Sequence, residues 1–461
     1  MGFYFIGTFA TRLLQLIFIP IYSKFVTPSD LGDYSLILAI ISIVIPLLFQ
    51  SIWEGAFRFA IEHEGREHNI LATTTKYCMS LSVIYSIIFF LVSYVFPIKY
   101  PVLILLMGLG QMGTSYWQFS ARALKRNKLY SFSVVVNSAV TILLNIILIV
   151  VFRWGLLGLL ISSFAGNLIM IIILENRMSL LKHSFRYKFN KSLFSQVMKY
   201  SIPLAINAIS WWLFSSVNNL VITSELGSSA NGVFALAVKV GTIFATITTV
   251  ISMAWQEEAF RTHGKQNAST YFNATLDHLI KILFSVVLLL IPFTFIIYKY
   301  FVFGDYKEGV LLAPFLFIGA SYQAFANHLG SAFLARKESK ILFVTTFVGG
   351  LITFFFSVVL IKQIGLEGAV YSSLIGFMIT YLVRIPLLKK RMEVKPKVFR
   401  LFSLTIFSVL LIYLCNYKPE SLIYQLTILF VIIILVFLVN RKLIIMIYSK
   451  TRNKFCKRPI Q

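Results

Sequence analysis

Long apolar runs, separated by short polar segments, occupy most of this chain. A run of about 20 mostly apolar residues is long enough for a helix to cross the hydrocarbon core of a membrane. Fourteen runs are predicted as spans: 3–24, 33–53, 79–97, 101–120, 131–152, 155–174, 199–223, 231–254, 277–298, 309–333, 342–361, 366–388, 399–416 and 421–439. The pattern therefore predicts an all-α protein that crosses the membrane many times.

Composition agrees with a location in lipid. Hydrophobic residues make up 58% of the 461 residues, and charged residues make up only 13%. The charged share is about half that of an ordinary soluble domain. A soluble fold cannot hide this much apolar surface in its core, so the surrounding solvent must be lipid.

Several other chemistries lack their sequence signals. No GxxxxGK[ST] phosphate-binding motif occurs, so ATP is not bound in that way. The six histidines show no metal-ligand spacing, and the three cysteines lie too far apart to indicate a disulfide framework. We therefore expect no metal and no cofactor.

Basic residues are distributed unevenly between the gaps that separate the spans. Gaps after odd-numbered spans hold seven of the 42 Lys and Arg residues, whereas the remaining gaps and the C-terminal tail hold 31. Four more, Arg12, Lys239, Lys281 and Arg384, fall within spans. Because cytoplasmic loops carry the excess of Lys and Arg, both termini are predicted in the cytoplasm. The same bias explains the net charge of +25 without a nucleic-acid partner.

The two halves of the chain repeat the same phrases. WEGAFR at 53–58 corresponds to WQEEAFR at 255–261, and three further pairs recur in the same order at offsets of 200 to 210 residues. These pairs are 32–36 with 232–236, 155–158 with 365–368, and 162–166 with 372–376. Six spans in each half predict two parallel repeats related by an axis along the membrane normal. Rocking such lobes against each other opens the cleft between them to alternate sides.

This repeat divides the chain into five predicted segments. They are an N-lobe (1–176), a basic cytoplasmic linker (177–198), a C-lobe (199–390), two additional spans (391–440) and a basic cytoplasmic tail (441–461).

Two stretches resemble motifs of a known family. Residues 19–35, IPIYSKFVTPSDLGDYS, resemble the PLYTR-(F/Y)-L-(S/T)-PEE-(Y/F)-G-x-YS stretch of Wzx-type polysaccharide repeat-unit flippases. Residues 231–240, NGVFALAVKV, and Ala254-Trp255 are similar to the G-x-YS-x-AxK and AW motifs of the same family. Ser23-Lys24 stands where Thr-Arg is common, and Phe234-Ala235 replaces Tyr-Ser. These flippases belong to the multidrug/oligosaccharidyl-lipid/polysaccharide (MOP) exporter superfamily.

The resemblance implies a MATE-like fold of two six-helix lobes plus two C-terminal helices. It also implies a transporter rather than an enzyme, located in the plasma (inner) membrane. The implied activity is transfer of an undecaprenyl-diphosphate-linked oligosaccharide from the cytoplasmic to the outer leaflet, for O-antigen, capsule or exopolysaccharide assembly. Candidate partners, beyond this substrate and the bilayer, are a polysaccharide polymerase and its chain-length machinery.

Charges within spans are candidates for substrate binding. A charge at mid-helix costs roughly 2.5–3.5 kcal/mol on insertion scales, and neither Arg12 nor Lys239 has an acidic residue within a turn or two. Binding a diphosphate would offset this cost through charge-assisted hydrogen bonds, whereas snorkelling to a headgroup region is the structural alternative. Lys281 and Arg384 lie within about five residues of a cytoplasmic edge, so we expect both to snorkel.

Polar side chains at helical spacing predict a cavity between the lobes. Amides that face lipid are unfavourable, so these faces should point inward, where they either contact the sugars or join helices together. The predicted cavity residues are Arg12, Lys239, Asn207, Trp211, Asn218, Thr242, Thr246, Gln111, Gln118, Gln323 and Asn327.

The repeated phrases supply the predicted gating residues, Glu54 and Arg58 in one half and Glu257 and Arg261 in the other. Each acid precedes its Arg by four residues, a spacing that predicts an ion pair along the helix. The same spacing pairs Asp277 with Lys281. Trp53 and Trp255 are expected to anchor the two phrases at the membrane interface.

Two other functions stay open on the sequence. A drug or cation exporter of the same superfamily would use buried carboxylates, whereas the deeper buried charges, Arg12 and Lys239, are positive. A membrane glycosyltransferase or polysaccharide polymerase usually needs a larger external segment than the outward gaps offer, since each has about ten residues or fewer.

Overall fold

A computed structural model describes residues 18–455, apart from 64, 263 and 264, and this described part is helical without a strand. The side chains at 243, 250, 253, 254, 257, 260 and 442–455 also lie outside the description. Two predicted site residues are affected, because Arg12 and the Glu257 side chain fall outside the described residues.

The first half of the chain contains seven described helices. These are α1 (18–25 in its described part), α2 (Pro28–Leu48), α3 (Ile52–Glu62), α4 (Glu67–Val95), α5 (Pro101–Ala123), α6 (Asn127–Asn145) and α7 (Gly155–Met178). A π-helical segment, Ile146–Val151, continues α6.

The rest of the described chain continues the same pattern. Its helices are α8 (Leu180–Arg186), α9 (Lys191–Ser215), α10 (Val217–Leu226), α11 (Ser228–Thr262), α12 (Ala268–Phe301), α13 (Leu312–Ala335), α14 (Ser339–Ile364), α15 (Leu366–Lys389), α16 (Val398–Tyr417) and α17 (Leu422–Phe455). A 3-10 segment, Gly304–Leu311, precedes α13.

Ten helices of the described part are long and apolar enough to cross a membrane, which confirms a multi-pass membrane protein. They correspond to predicted spans 2, 3, 5, 6 and 9–14. Span 1 lies mostly outside the described residues, and the helices at spans 4, 7 and 8 do not meet this standard. The count of fourteen spans therefore stays a prediction.

The two halves follow the same fold at the level of individual contacts. A Cβ on Gly166 would collide with the hydroxyl of Thr141, and a Cβ on Gly376 would collide with the hydroxyl of Thr353. Both pairs join the last two helices of a lobe, α6 with α7 and α14 with α15. Glycine permits this close approach of helices, as is common in membrane bundles. The segment boundaries predicted above stay predictions, while the two-lobe architecture is confirmed.

The repeated phrases themselves differ in structure. In the N-lobe, Gln50 and Ser51 adopt left-handed backbone angles (φ 47° and 48°), so WEGAFR begins a separate helix, α3. In the C-lobe, WQEEAFR lies within the continuous helix α11. Trp53 and Trp255 are both buried, at 6% and 9% exposure. The prediction that these indoles anchor at the membrane interface is therefore wrong.

The last two helices lie outside the repeat. Both α16 and α17 pack against α12. Asp277 of α12 forms an ion pair with Lys281 of the same helix at 3.0 Å. It forms a second ion pair with Arg400, near the start of α16, at 2.8 Å. The predicted pairing of Asp277 with Lys281 is confirmed, and Arg400 ties α16 to the C-lobe through the same carboxylate.

Candidate functional site

The helices α2, α5, α7, α11, α13 and α15 all begin at one end of the bundle, here called the weakly basic end because few Lys and Arg residues lie there. The opposite end is called the basic end. These two names describe the charge of the bundle alone.

At the weakly basic end, α2 and α11 cross in contact. A Cβ on Gly32 would collide with the backbone of Ser228, and a Cβ on Gly232 would collide with the backbone of Pro28. Asn231 Nδ2 also donates a hydrogen bond of 2.9 Å to the Gly32 carbonyl oxygen. We call this reciprocal contact the glycine crossing. Only glycine allows two backbones to approach this closely.

Further hydrogen bonds join the lobes near the glycine crossing. Ser35 Oγ donates to Asn219 Oδ1 at 2.8 Å, and Trp212 Nε1 donates to the Ala39 carbonyl oxygen at 2.7 Å. Both bonds connect α2 with the first helices of the C-lobe, α9 and α10. The weakly basic end of the interface between the lobes is thus closed by direct contacts.

Toward the basic end the lobes separate around a cavity of about 420 Å³. This interlobe cavity is lined by Ser42, Glu54, Leu204, Asn207, Ala208, Trp211, Trp212, Ser215 and Ser216. The Trp211 side chain is 42% exposed and presents a large aromatic face. The predicted cavity residues Asn207 and Trp211 therefore do lie together in a polar space between the lobes.

Glu54 supplies the carboxylate of the interlobe cavity. Burial raises the pKa of the Glu54 carboxyl above its ordinary value, because it disfavours the charged form. The predicted pair of Glu54 with Arg58 is wrong, since Arg58 Nε instead bonds Glu62 at 2.8 Å and its guanidinium lies 4.5 Å from the centre of the Tyr200 ring. Among the described residues, no ion pair involves Glu54.

A second cavity, of about 330 Å³, lies within the C-lobe. Trp211 lines this cavity as well as the interlobe cavity, so the two spaces adjoin at its side chain. The polar lining of this second cavity includes Thr248, Thr249, Ser252, Gln256, Gln323, Asn327, Ser331, Thr346 and Arg384. We call this space the C-lobe cavity. It brings together the predicted residues Gln323 and Asn327 with a cation that was not predicted there.

That cation is Arg384, which is only 2% exposed. Its guanidinium donates to the Ala326 carbonyl oxygen at 2.6 Å, to Thr345 Oγ1 at 3.0 Å and to Thr346 Oγ1 at 2.8 Å. The prediction that Arg384 snorkels to the membrane surface is wrong, because inward hydrogen bonds hold its head inside the lobe. Helical spacing could have revealed this, since Gly376, Thr380 and Arg384 share one face of α15.

A third cavity, of about 210 Å³, lies in the N-lobe and contains Gln111. Its polar lining, as far as the described residues show, is Tyr34, Gln111, Asn137, Thr141, Ser163 and Asn167, and none of these is charged. Asn137 Nδ2 donates to Asn167 Oδ1 at 3.2 Å, and the hydroxyls of Tyr34 and Ser163 lie 2.5 Å apart. The described lining of this N-lobe cavity therefore offers amide and hydroxyl groups.

Other predicted cavity residues join helices instead. Asn218 is 3% exposed, and its amide bonds the Ala369 carbonyl oxygen and the hydroxyls of Ser357 and Ser373. Its hydrogen-bonding groups are therefore occupied within the C-lobe, away from the three cavities. Gln118 Nε2 contacts the sulfur of Met170 at 3.4 Å within the N-lobe.

The remaining predicted residues lie on α11. Thr242 donates to the carbonyl oxygen of Lys239, and Thr246 donates to that of Thr242, so both hydroxyls bond their own helix. The ammonium of Lys239 lies 5.0 Å from the centre of the Tyr22 ring, a cation–π contact with α1. Arg261 is exposed near the basic end of α11. Because Arg12 lies outside the described residues, a joint site of Arg12 and Lys239 stays a prediction.

Two repeat-related helical lobes, in contact at one end and enclosing polar space toward the other, define a polytopic helical membrane protein. The chain belongs to the polysaccharide biosynthesis protein family, whose model matches residues 1–256. The resemblance drawn from residues 19–35 and 231–240 is thereby confirmed at the level of the polysaccharide biosynthesis family. A search of curated proteins finds no match.

Solved structures with the same fold include transporters of the MOP superfamily. The chain is 16% identical to the lipid II flippase MurJ in an inward closed conformation, with a TM-score of 0.71 over 95% of this chain and 99% of that one. An inward-facing multidrug resistance MATE family transporter gives 14% identity and a TM-score of 0.70 over 86% and 95%. An outward-facing one gives 15% identity and a TM-score of 0.58 over 87% and 94%.

Proposed function

We propose that this protein moves an undecaprenyl-diphosphate-linked oligosaccharide repeat unit from the cytoplasmic to the outer leaflet of the cell membrane by alternating access. The observation that carries this proposal is the interlobe cavity, which is polar and lies between the lobes on the side away from the glycine crossing. Membership of the polysaccharide biosynthesis family supports the sugar-containing cargo. Fold neighbours that are flippases and exporters support transport rather than catalysis.

The sidedness of this cycle follows from charge. The positive-inside rule assigns the basic end to the cytoplasm, together with both termini. The interlobe cavity would then receive cargo from the cytoplasmic leaflet, and the glycine crossing would close the outer side. The closer agreement with inward-facing than with outward-facing relatives supports this orientation.

The cavities match the chemistry of the proposed cargo. Sugar hydroxyls need amide partners and aromatic faces, which Asn207 and Trp211 provide in the interlobe cavity. The lipid tail would stay in the bilayer while the headgroup crosses. The headgroup carries about two negative charges, and a membrane potential that is negative inside favours its outward movement by about 2.3 kcal/mol per charge per 100 mV.

A second candidate function, export of a cationic compound, is favoured by one observation. Glu54 places a half-buried carboxylate in the interlobe cavity without an ion pair to any described residue. Against it, the best-buried charge that borders a cavity is the cation Arg384. The anionic cargo is therefore the better match.

Proteoliposomes distinguish these two functions. Purified protein is reconstituted with a fluorescent undecaprenyl-diphosphate-linked oligosaccharide, and the fraction exposed outside is followed with a membrane-impermeant quencher. Protein-dependent transfer is expected, whereas efflux of a cationic dye under a proton gradient is not. Dye efflux without lipid transfer would establish the exporter instead. Protein-free liposomes provide the control for spontaneous movement.

In cells, we expect loss of this protein to leave lipid-linked single repeat units on the cytoplasmic face. Loss of a polymerase would instead leave single repeat units exposed outside, so the two defects are separable. A polysaccharide polymerase and chain-length machinery are proposed to act on the units that this protein delivers.

A further inference from the structure

The C-lobe cavity contains a buried cation that has no counter-ion among the residues that the structure describes. Arg384 is 2% exposed, and among the described residues no carboxylate forms an ion pair with it. Among the described residues, the lining of the cavity contains no acidic side chain. Within the described part of the chain, the partners of the Arg384 guanidinium are carbonyl and hydroxyl groups.

The hydrogen bonds of Arg384 leave room for a ligand. A guanidinium has five N–H groups. Those bound within the lobe are directed to the Ala326 and Leu342 carbonyl oxygens and to the hydroxyls of Thr345 and Thr346. Four bonds fix the plane of the guanidinium and leave one N–H group for a ligand. The positive charge is thus held in place and is not cancelled.

Packing alone does not explain this cation. Arg384 follows Gly376 by eight residues, and in the other lobe Leu174 follows Gly166 by the same interval. Leu174 is 0% exposed and packs in the N-lobe core. A leucine therefore packs well at the equivalent position of the other lobe. Hydrophobic side chains generally pack at a lower free-energy cost than buried charges.

We propose that the C-lobe cavity is a phosphoryl-binding site in which Arg384 is the cation. Gln323 and Asn327 supply neutral amide groups beside it, and no described residue of the lining is a carboxylate that would repel an anion. Guanidinium groups bind phosphate oxygens through strong charge-assisted hydrogen bonds. The identification of the natural ligand as the diphosphate of a lipid-linked substrate rests on the proposed function. The inference that the site binds a phosphoryl group does not.

Trp211 gives the site a route of entry. Its indole borders both the interlobe cavity and the C-lobe cavity. A headgroup in the interlobe cavity would therefore reach Arg384 by passing one partly exposed side chain. Sugar and diphosphate would then occupy adjoining spaces, with Trp211 between them.

Binding of inorganic pyrophosphate to the purified full chain tests the site. The thermal midpoint is measured against pyrophosphate concentration at constant ionic strength. We expect saturable stabilisation of the wild type, and an apparent dissociation constant about 10- to 100-fold higher in Arg384→Gln. The matched control Arg186→Gln removes the same charge from an exposed helix and should bind as the wild type does. Equal binding by Arg384→Gln and wild type would overturn the proposal.

Variants of the cavity wall cover the case in which Arg384→Gln does not fold. Gln323→Leu and Asn327→Leu keep the cation and remove one amide each. Both are expected to weaken pyrophosphate binding, and unchanged binding in both would reject the site.

A comparison of ligands identifies the source of the phosphoryl group. Undecaprenyl diphosphate that stabilises more strongly than pyrophosphate indicates a lipid headgroup, whereas equal stabilisation indicates a free anion. Undecaprenol, which lacks phosphate, should have no Arg384-dependent effect. An equal effect of undecaprenol and undecaprenyl diphosphate would contradict phosphoryl recognition.

The transfer assay separates this inference from the proposed function. If wild type and Arg384→Gln bind pyrophosphate equally and also move the lipid-linked oligosaccharide equally, the phosphoryl site is wrong and the flippase stands. If the wild type moves no such lipid while pyrophosphate binding depends on Arg384, the flippase is wrong and the site stands.

Discussion

The N-lobe and the C-lobe repeat one helical frame but enclose cavities of different chemistry. The N-lobe cavity is lined by neutral amides and hydroxyls, whereas the C-lobe cavity contains the buried Arg384. The close contacts of Gly166 with Thr141 and of Gly376 with Thr353 show that the surrounding helices pack in the same way. Individual side chains on a shared frame therefore decide what each lobe can bind.

Two pairs of positions show how the chemistry diverges. Asn167 follows Gly166 and lines the N-lobe cavity, whereas Phe377 follows Gly376 and stacks on Phe214 with ring centres 4.4 Å apart. At this position of the repeat, the C-lobe therefore packs aromatic rings, whereas the N-lobe has a polar cavity. Further along the same helices the contrast reverses, because the N-lobe has Leu174 where the C-lobe has Arg384.

The glycine crossing, where the lobes contribute alike, should give the largest effect. Gly32→Ala and Gly232→Ala each place a methyl group against the opposite backbone, so we expect the closed weakly basic end to be lost and transport to fall about 100-fold. Gly241→Ala on the same helix is the control, since its nearest neighbour would lie at 3.5 Å. Normal lipid transfer by both variants would show that this crossing does not close during transport.

The second largest effect is expected when Leu174 of the N-lobe is replaced by the arginine that the C-lobe has at the equivalent position, Arg384. Leu174→Arg places a charge in the N-lobe core, where Leu174 is fully buried, and we expect the free energy of unfolding to fall by about 3 kcal/mol. Membrane yield and the thermal midpoint measure this loss, with Leu174→Met as the control. A stable Leu174→Arg protein would mean that both lobes can accommodate the cation.

Filling the N-lobe cavity tests whether its polarity matters. Asn167→Phe copies the C-lobe residue, and we expect a folded protein whose lipid transfer falls about tenfold through lost amide contacts. Leu168→Phe is the matched control, because the neighbouring Leu168 is exposed on the outer surface of the bundle. Unchanged transfer in Asn167→Phe would indicate that the cargo does not use this cavity.

The smallest expected effect concerns a single hydroxyl. Tyr34→Phe copies Phe234 of the other lobe and removes the hydrogen bond to Ser163, which should cost about 1 kcal/mol of stability. Tyr94→Phe, at a position that is 91% exposed, should leave the thermal midpoint unchanged. No difference between the two variants would show that the Tyr34 bond contributes nothing.

Most of the fold could be predicted because lipid imposes simple rules on sequence. Apolar length marked the helices, and the repeated phrases marked equivalent positions of the two lobes, as the contacts of Gly166 and Gly376 show. The break after α2 was missed because its left-handed residues, Gln50 and Ser51, give no apolar-length signal. The same limit hid the separate helix that WEGAFR forms.

The site was predictable only in part, because helical spacing identifies a polar face without identifying what it meets. Asn207 and Asn218 lie on one predicted face, yet Asn207 lines the interlobe cavity and Asn218 is enclosed by hydroxyls of other helices. The intervening break at Ser216 separates α9 from α10 and changes their surroundings. Arg384 was misplaced because its distance from the membrane edge was considered without its hydrogen-bond partners.

The sequence by itself determined the membrane location, the repeated lobes and the family, since each depends on composition, order and motifs along the chain. Only the tertiary structure decided which polar groups are free to meet a ligand, because that depends on partners from distant segments. Thr345, Thr346 and Ala326 orient Arg384 from two other helices, and no local pattern records that convergence. The physical reason is that burial and hydrogen bonding belong to the packed bundle, whereas hydropathy belongs to each segment.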